Sequence, residues 1–212
     1  MTKMAIKICG LSDRAGVDAA LAAGATHVGL VFFPKSPRNV SVEQAAALAA
    51  HVAGRAKVVG LFVNPAGDFL THACNVVALD VIQLHGTESN KQAEQIRSRH
   101  GLETWKAIGI RESLNQANIY ARAVDRVLYD AKPPEDHDLR GGTGLRIDWS
   151  LLAGRRHPLP WILAGGLDAT NVAEAIRITG ADFVDVSSGV ESGRGIKDAA
   201  KIAQFCRAAR ES

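Results

Sequence analysis

Apolar residues gather in eight short runs rich in β-branched side chains: Met4–Cys9, His27–Phe32, Lys57–Phe62, Val81–Leu84, Trp105–Ile110, Arg126–Asp130, Trp161–Ala164 and Phe183–Val186. Runs of this length bounded by turn-forming and polar residues predict strands. Between them the apolar positions recur at helical spacing, as in Val172, Ala175, Ile176 and Thr179, or Ala199, Ile202, Ala203 and Cys206. A helix is therefore expected after each strand. Ser12 and Asp13 are placed to cap the first helix, and Ser41 with Gln44 three residues later predicts a capping box for the second.

The strand starts, at 4, 27, 57, 81, 105, 126, 161 and 183, lie 21 to 35 residues apart, room for one strand, one helix and two short loops. Strict alternation implies a parallel sheet. An open doubly wound sheet shares that alternation, but eight regular units in 212 residues favour closure into an α/β fold of the (β/α)8 barrel type. No linker, low-complexity stretch or shift in composition interrupts the pattern, so residues 1–212 are expected to form a single barrel domain. The longest unit holds Ala131–Gly144, reading AKPPEDHDLRGGTG. Its prolines and glycines exclude a strand or long helix. On the C-terminal rim of a barrel this loop is a lid candidate or simply a long surface loop.

Composition narrows the functional classes. With 47% hydrophobic and 22% charged residues and a net charge of +3, the chain matches an ordinary globular protein and carries no basic block for nucleic acid. Cys9, Cys74 and Cys206 are too few and too far apart for a disulfide framework or a CxxC motif, which fits a reducing cytoplasm. No signal-peptide core follows the N-terminal lysines, and no apolar run is long enough to span a bilayer. A cytoplasmic location with no membrane partner is expected.

Barrel enzymes carry their reactive groups at the C-terminal ends of strands. Here those positions hold Cys9, Arg38, Gln83, His85 and Asp130, with Gly165-Gly166 after the seventh strand and Ser187-Ser188-Gly189 after the eighth. Glycine and serine sets in adjacent loops suit phosphate, which backbone N–H groups can surround, although a tight turn uses the same residues. A lone buried cysteine more often fills space than reacts. At the end of the first strand, before Gly10 and a capped helix, the Cys9 sulfur should instead face the barrel mouth. Asp130 reads as a capping carboxylate or as half of an acid/base pair with Cys9. Arg38 reads as a solvated charge or as a fork for a carboxylate or phosphate. His85 has no partner at metal-ligand spacing, so no metal is expected, and no nucleotide-binding or hydrolase motif is present.

These residues together resemble the phosphoribosylanthranilate isomerase family. The resemblance runs through Lys7-Ile8-Cys9-Gly10, Gly29-Leu30-Val31-Phe32, Ser36-Pro37-Arg38, Gly60-Leu61-Phe62-Val63-Asn64 and Gln83-Leu84-His85-Gly86. It continues through Asp130, Gly141-Gly142-Thr143-Gly144, Asp148-Trp149, Ala164-Gly165-Gly166-Leu167 and Asn171-Val172 to Asp185-Val186-Ser187-Ser188-Gly189-Val190-Glu191. It implies an Amadori rearrangement of N-(5-phosphoribosyl)anthranilate in tryptophan biosynthesis, with Cys9 as general base, Asp130 as general acid and no cofactor. It also implies that Arg38 meets the anthranilate carboxylate, that Gln83 and His85 line the substrate site, and that the loops around Gly144, Gly166 and Ser188 hold the phosphate. The partner is then a phosphorylated small molecule, and the barrel a monomer or a homodimer. Two rivals are the related aminoaldose isomerase of histidine biosynthesis, which uses two aspartates, and a catalytically silent phosphate-binding barrel.

One structural expectation follows from alternation alone. Lys7 shares a face with Cys9 and points into the barrel, where an ammonium needs a partner. Asp185 on the eighth strand, the closing neighbour of the first, is predicted to supply it across the seam. The same cation would favour thiolate at Cys9.

Overall fold

A computed structural model describes residues 4–109, 113–130 and 149–212. Eight parallel strands close into a barrel in chain order, β1 (Ala5–Cys9), β2 (His27–Phe32), β3 (Lys57–Phe62), β4 (Val81–Leu84), β5 (Glu103–Gly109), β6 (Arg126–Asp130), β7 (Trp161–Ala164) and β8 (Phe183–Val186). Six coincide with the predicted runs. β1 starts one residue later than expected, and β5 begins two residues earlier and ends one earlier. Glu103 and Thr104 are polar and hid that start: Thr104 is buried with its amide donating to Asp125, while Glu103 accepts from the Trp105 indole at 2.7 Å.

Helices α1 (Arg14–Ala22), α2 (Val42–Val52), α3 (Gly67–Val76), α4 (Asn90–His100), α5 (Ser113–Tyr120), α6 (Val172–Thr179) and α7 (Ala199–Arg210) run between and after the strands. Asp13 caps α1, accepting from the Gly16 amide at 2.7 Å. At α2 only half of the expected capping box forms. Ser41 accepts from the Gln44 amide, but the Gln44 side chain donates to the Ser12 carbonyl at 2.6 Å and so ties α2 to the loop after β1. Between β6 and β7 the described residues hold a 3₁₀ turn at Trp149–Leu151, and the Ala131–Gly144 loop lies outside them. A short hairpin of β9 (Glu191–Gly193) and β10 (Ile196–Lys197), absent from the predicted pattern, precedes α7.

Two apolar layers result from strand alternation. Ile6, Ile8, Val28, Leu30, Tyr129 and Leu163 face the helices, whereas Val59, Val81, Trp105, Leu128, Ile162 and Phe183 fill the barrel interior. Above this inner plug Cys9 packs with Val31 and Leu61. The mouth above them receives the strand ends.

Candidate active site

Alternation on β1 sends Ile6 and Ile8 to the helix layer and Lys7 and Cys9 inward. Lys7 is in register with Asp185 on β8, and its Nζ donates to Oδ1 at 2.9 Å, as expected from the sequence. Gly29, the register partner of Cys9 on β2, makes room for both side chains: a Cβ there would stand 3.0 Å from Lys7 Cε and 3.1 Å from Cys9 Sγ. Burial works to neutralise the Lys7 ammonium, yet Asp185 and Cys9 outweigh it and hold its pKa above the usual lysine value. For Cys9 the balance falls the other way. Burial pushes the thiol up and exceeds the opposing pull of Lys7. The expected pull of Lys7 toward thiolate is present, but burial outweighs it.

Asp130 ends β6, three strands from β1 around the closed barrel by way of β7 and β8. Its Oδ2 lies 3.4 Å from His85 Nε2 at the exit of β4. His85 Nδ1 in turn lies 3.1 Å from Gln83 Nε2. An amide nitrogen only donates, so this arrangement leaves the imidazole proton on Nε2, directed at Asp130. Gln83 is fully buried, and its Oε1 has no hydrogen-bond partner among the described residues. The three site residues from β4, its exit and β6 thus form one chain, Gln83 to His85 to Asp130.

Arg38 is not a solvated charge. Its Nε and Nη2 close on the Glu191 carboxylate at 2.6 and 2.8 Å, and its stem lies over Gly10 beside Cys9. Glu191 also accepts from Lys197 Nζ at 2.7 Å, and these contacts hold its carboxyl at about 2 against the opposing effect of burial. Lys197 reaches on to the Ser187 carbonyl at 3.0 Å. The Ser187 hydroxyl donates to the Cys9 carbonyl at 3.1 Å and so fastens β8 to β1. Gly189 sits in the 3₁₀ turn Ser188–Val190, so close to the Leu167 carbonyl that no side chain would fit, which brings the Gly165-Gly166 loop and the Ser187–Gly189 loop together. Gly144 lies outside the described residues.

A family model described as N-(5'phosphoribosyl)anthranilate (PRA) isomerase matches residues 6–208. The chain belongs to this family. A Paramagnetospirillum magneticum protein named N-(5'-phosphoribosyl)anthranilate isomerase is 49% identical over 97% of this chain and 96% of its own. Phosphoribosyl anthranilate isomerase from Thermotoga maritima superposes with a TM-score of 0.85 at 33% identity, covering 99% of this chain and 100% of that one. A family structure in complex with reduced 1-(o-carboxyphenylamino)-1-deoxyribulose 5-phosphate has a TM-score of 0.82 at 30% identity, covering the same shares of the two chains. Membership in the phosphoribosylanthranilate isomerase family sets the histidine-pathway rival aside.

Two residues of the site, Glu191 and Lys197, have no role in the sequence reading. The signal for them was the Gly193-Arg194-Gly195 turn between two polar ends, which marks a hairpin at the barrel mouth.

Proposed function

We propose that this barrel converts N-(5-phosphoribosyl)anthranilate into the 1-deoxyribulose aminoketose in tryptophan biosynthesis, using proton transfers alone. The observation that carries the reading is the placement of Cys9 and Asp130 at the C-terminal ends of β1 and β6, each held by a polar neighbour suited to its task. Asp130, as a carboxylic acid, gives its proton to the furanose ring oxygen. The C1–O bond breaks as the anthranilate nitrogen lone pair forms the C=N bond of a protonated Schiff base. Cys9 thiolate then takes the proton from C2, leaving an enolamine that tautomerises to the ketone with a proton added at C1. Cys9 acts from its thiolate form, its own proton having passed to solvent before the step, and Lys7 and then the Schiff-base cation favour that form against the opposing effect of burial.

Arg38 would meet the anthranilate carboxylate, and the paired loops at Gly165-Gly166 and Ser188-Gly189 would surround the phosphate with backbone amides. The enzyme would act in the cytoplasm, in keeping with the absence, among the described residues, of any helix long and apolar enough to cross a membrane. Turnover is followed by loss of anthranilate-substrate fluorescence. Cys9→Ala and Asp130→Asn are each expected to lower kcat by about 100-fold or more while product-analogue affinity stays largely intact. Parallel losses of rate and affinity would remove both residues from the chemistry, and absence of turnover in the parent would favour a silent binding barrel.

A further inference from the structure

The β9–β10 hairpin is an addition to the βα repeat, and its polar groups converge on one carboxylate. Glu191 accepts from Arg38 at both oxygens, from Lys197 Nζ at 2.7 Å and from the Gly195 amide at 3.1 Å, while its carbonyl accepts from Lys201 Nζ at 2.6 Å. The hairpin also abuts the loop that carries Arg38, since the Pro37 carbonyl lies 2.9 Å from where a Cβ on Gly195 would stand. Arg38 is therefore gripped from the hairpin side, not merely neutralised.

A guanidinium offers two edges to carboxylates, Nε with Nη2 and Nη1 with Nη2. Glu191 takes the first. That contact fixes the plane of the group and aims the second edge. As a charge, Glu191 works against any anion that approaches Arg38, so simple Coulomb attraction gives no reason for a carboxylate here. Orientation does, because a planar fork binds a carboxylate well only when both N–H groups are aligned beforehand.

We propose that Glu191 is a positioning residue that sets the preference for substrates whose amine portion bears a carboxylate. The proposal rests on Arg38 being the ligand for that carboxylate. Its test compares two unreactive ligands by calorimetry, the reduced carboxyphenylamino deoxyribulose phosphate and its phenylamino counterpart lacking the carboxylate. The parent is expected to prefer the carboxylate ligand by about tenfold or more, and Arg38→Ala to lose the preference. Glu191→Gln is expected to cut the preference to about threefold or less while the phenylamino ligand binds nearly as before. Glu191→Asp retains the charge but draws the fork back by one methylene. It is expected to weaken the preference as well, which keeps the test available if the glutamine variant folds poorly. Retention of the full preference in both Glu191 variants, with Arg38→Ala still losing it, would overturn the role of Glu191 alone. Equal loss for both ligands would also overturn it, leaving Glu191 a structural part. No preference in the parent, or one that survives Arg38→Ala, would remove the reading of Arg38 and this proposal with it.

Discussion

Two buried lysine–carboxylate pairs lie on opposite faces of the same sheet. Inside the barrel, Lys7 and Asp185 meet at 2.9 Å; on the helix side, Lys106 and Glu88 meet at 3.1 Å. Separation and burial are alike, but the surroundings differ. Glu88 accepts from the Asn64 amide at 2.7 Å and from the Gly86 amide, and Lys106 donates to the Gly86 carbonyl at 2.7 Å, so this pair is a clamp on the loops after β3 and β4. Lys7 instead donates to Asp185, and its charge acts on the Cys9 thiol against the effect of burial. A charge pair that spends its hydrogen bonds on backbone fixes structure. One whose ammonium acts on a titratable side chain also bears on that group's chemistry.

The largest expected effect is common to both pairs. Asp185→Ala and Glu88→Ala each take a carboxylate away from a buried ammonium, and each should lower unfolding free energy, by about 3–5 kcal/mol for Asp185→Ala in urea titrations. Turnover per folded molecule separates them. It should fall in Asp185→Ala, where the orphaned Lys7 is left to Cys9, and hold in Glu88→Ala. An Asp185→Ala variant as stable as its parent would make the interior pair energetically irrelevant.

Replacing whole pairs with apolar residues sharpens the contrast at a smaller stability cost. Lys7→Met with Asp185→Leu should fall within about 2 kcal/mol of the parent, because desolvation of the charges disappears along with their attraction, whereas Lys106→Met with Glu88→Leu should lose more, since the Asn64 and Gly86 amides lose their acceptor. Thiolate absorbance against pH then reports on Cys9 in a background of Cys74→Ser and Cys206→Ala. Its titration midpoint should rise in the interior variant, which has lost the cation that opposes burial, and stay put in the exterior one. Equal midpoints in the two variants would show that Lys7 does not govern the thiol.

The sequence showed these two pairs unequally. Lys7 was legible because Cys9, two residues on, fixed its orientation and the closing β1–β8 seam named a partner. The same reasoning applies to Lys106, flanked by Trp105 and Ala107 on the inner face, but Glu88 lies in a loop and no strand register points to it. Strand positions could be read almost throughout, since a buried parallel strand needs a continuous apolar run. The Gln83–His85–Asp130 chain was legible only as separate residues at strand ends, because its geometry depends on side-chain rotamers. The grip of Glu191 on Arg38 spans 153 positions and depends on a hairpin outside the repeat, so no local pattern announces it.

The smallest expected effect comes from comparing how the interior pair and the Glu191 network respond to pH. Lys7 is held above its ordinary value of 10.5, so its contribution to stability is complete below 10.5 and is lost as pH rises through the folded-state value. Glu191 is held down from 4.5 to about 2, so its contribution is complete above 4.5 and is lost as pH falls toward 2. The two networks should therefore weaken at opposite ends of the scale. Thermal melts between pH 5 and pH 2 should show the parent losing Tm more steeply than Glu191→Gln, which has no proton to take up at that position, while Lys7→Met with Asp185→Leu should track Glu191→Gln less closely than it tracks the parent. Above the ordinary lysine value the order should reverse, with Glu191→Gln following the parent and the interior double variant declining less. Identical acid slopes in the parent and Glu191→Gln would mean that Arg38 and Lys197 hold Glu191 no more tightly in the fold than solvent does in the unfolded chain.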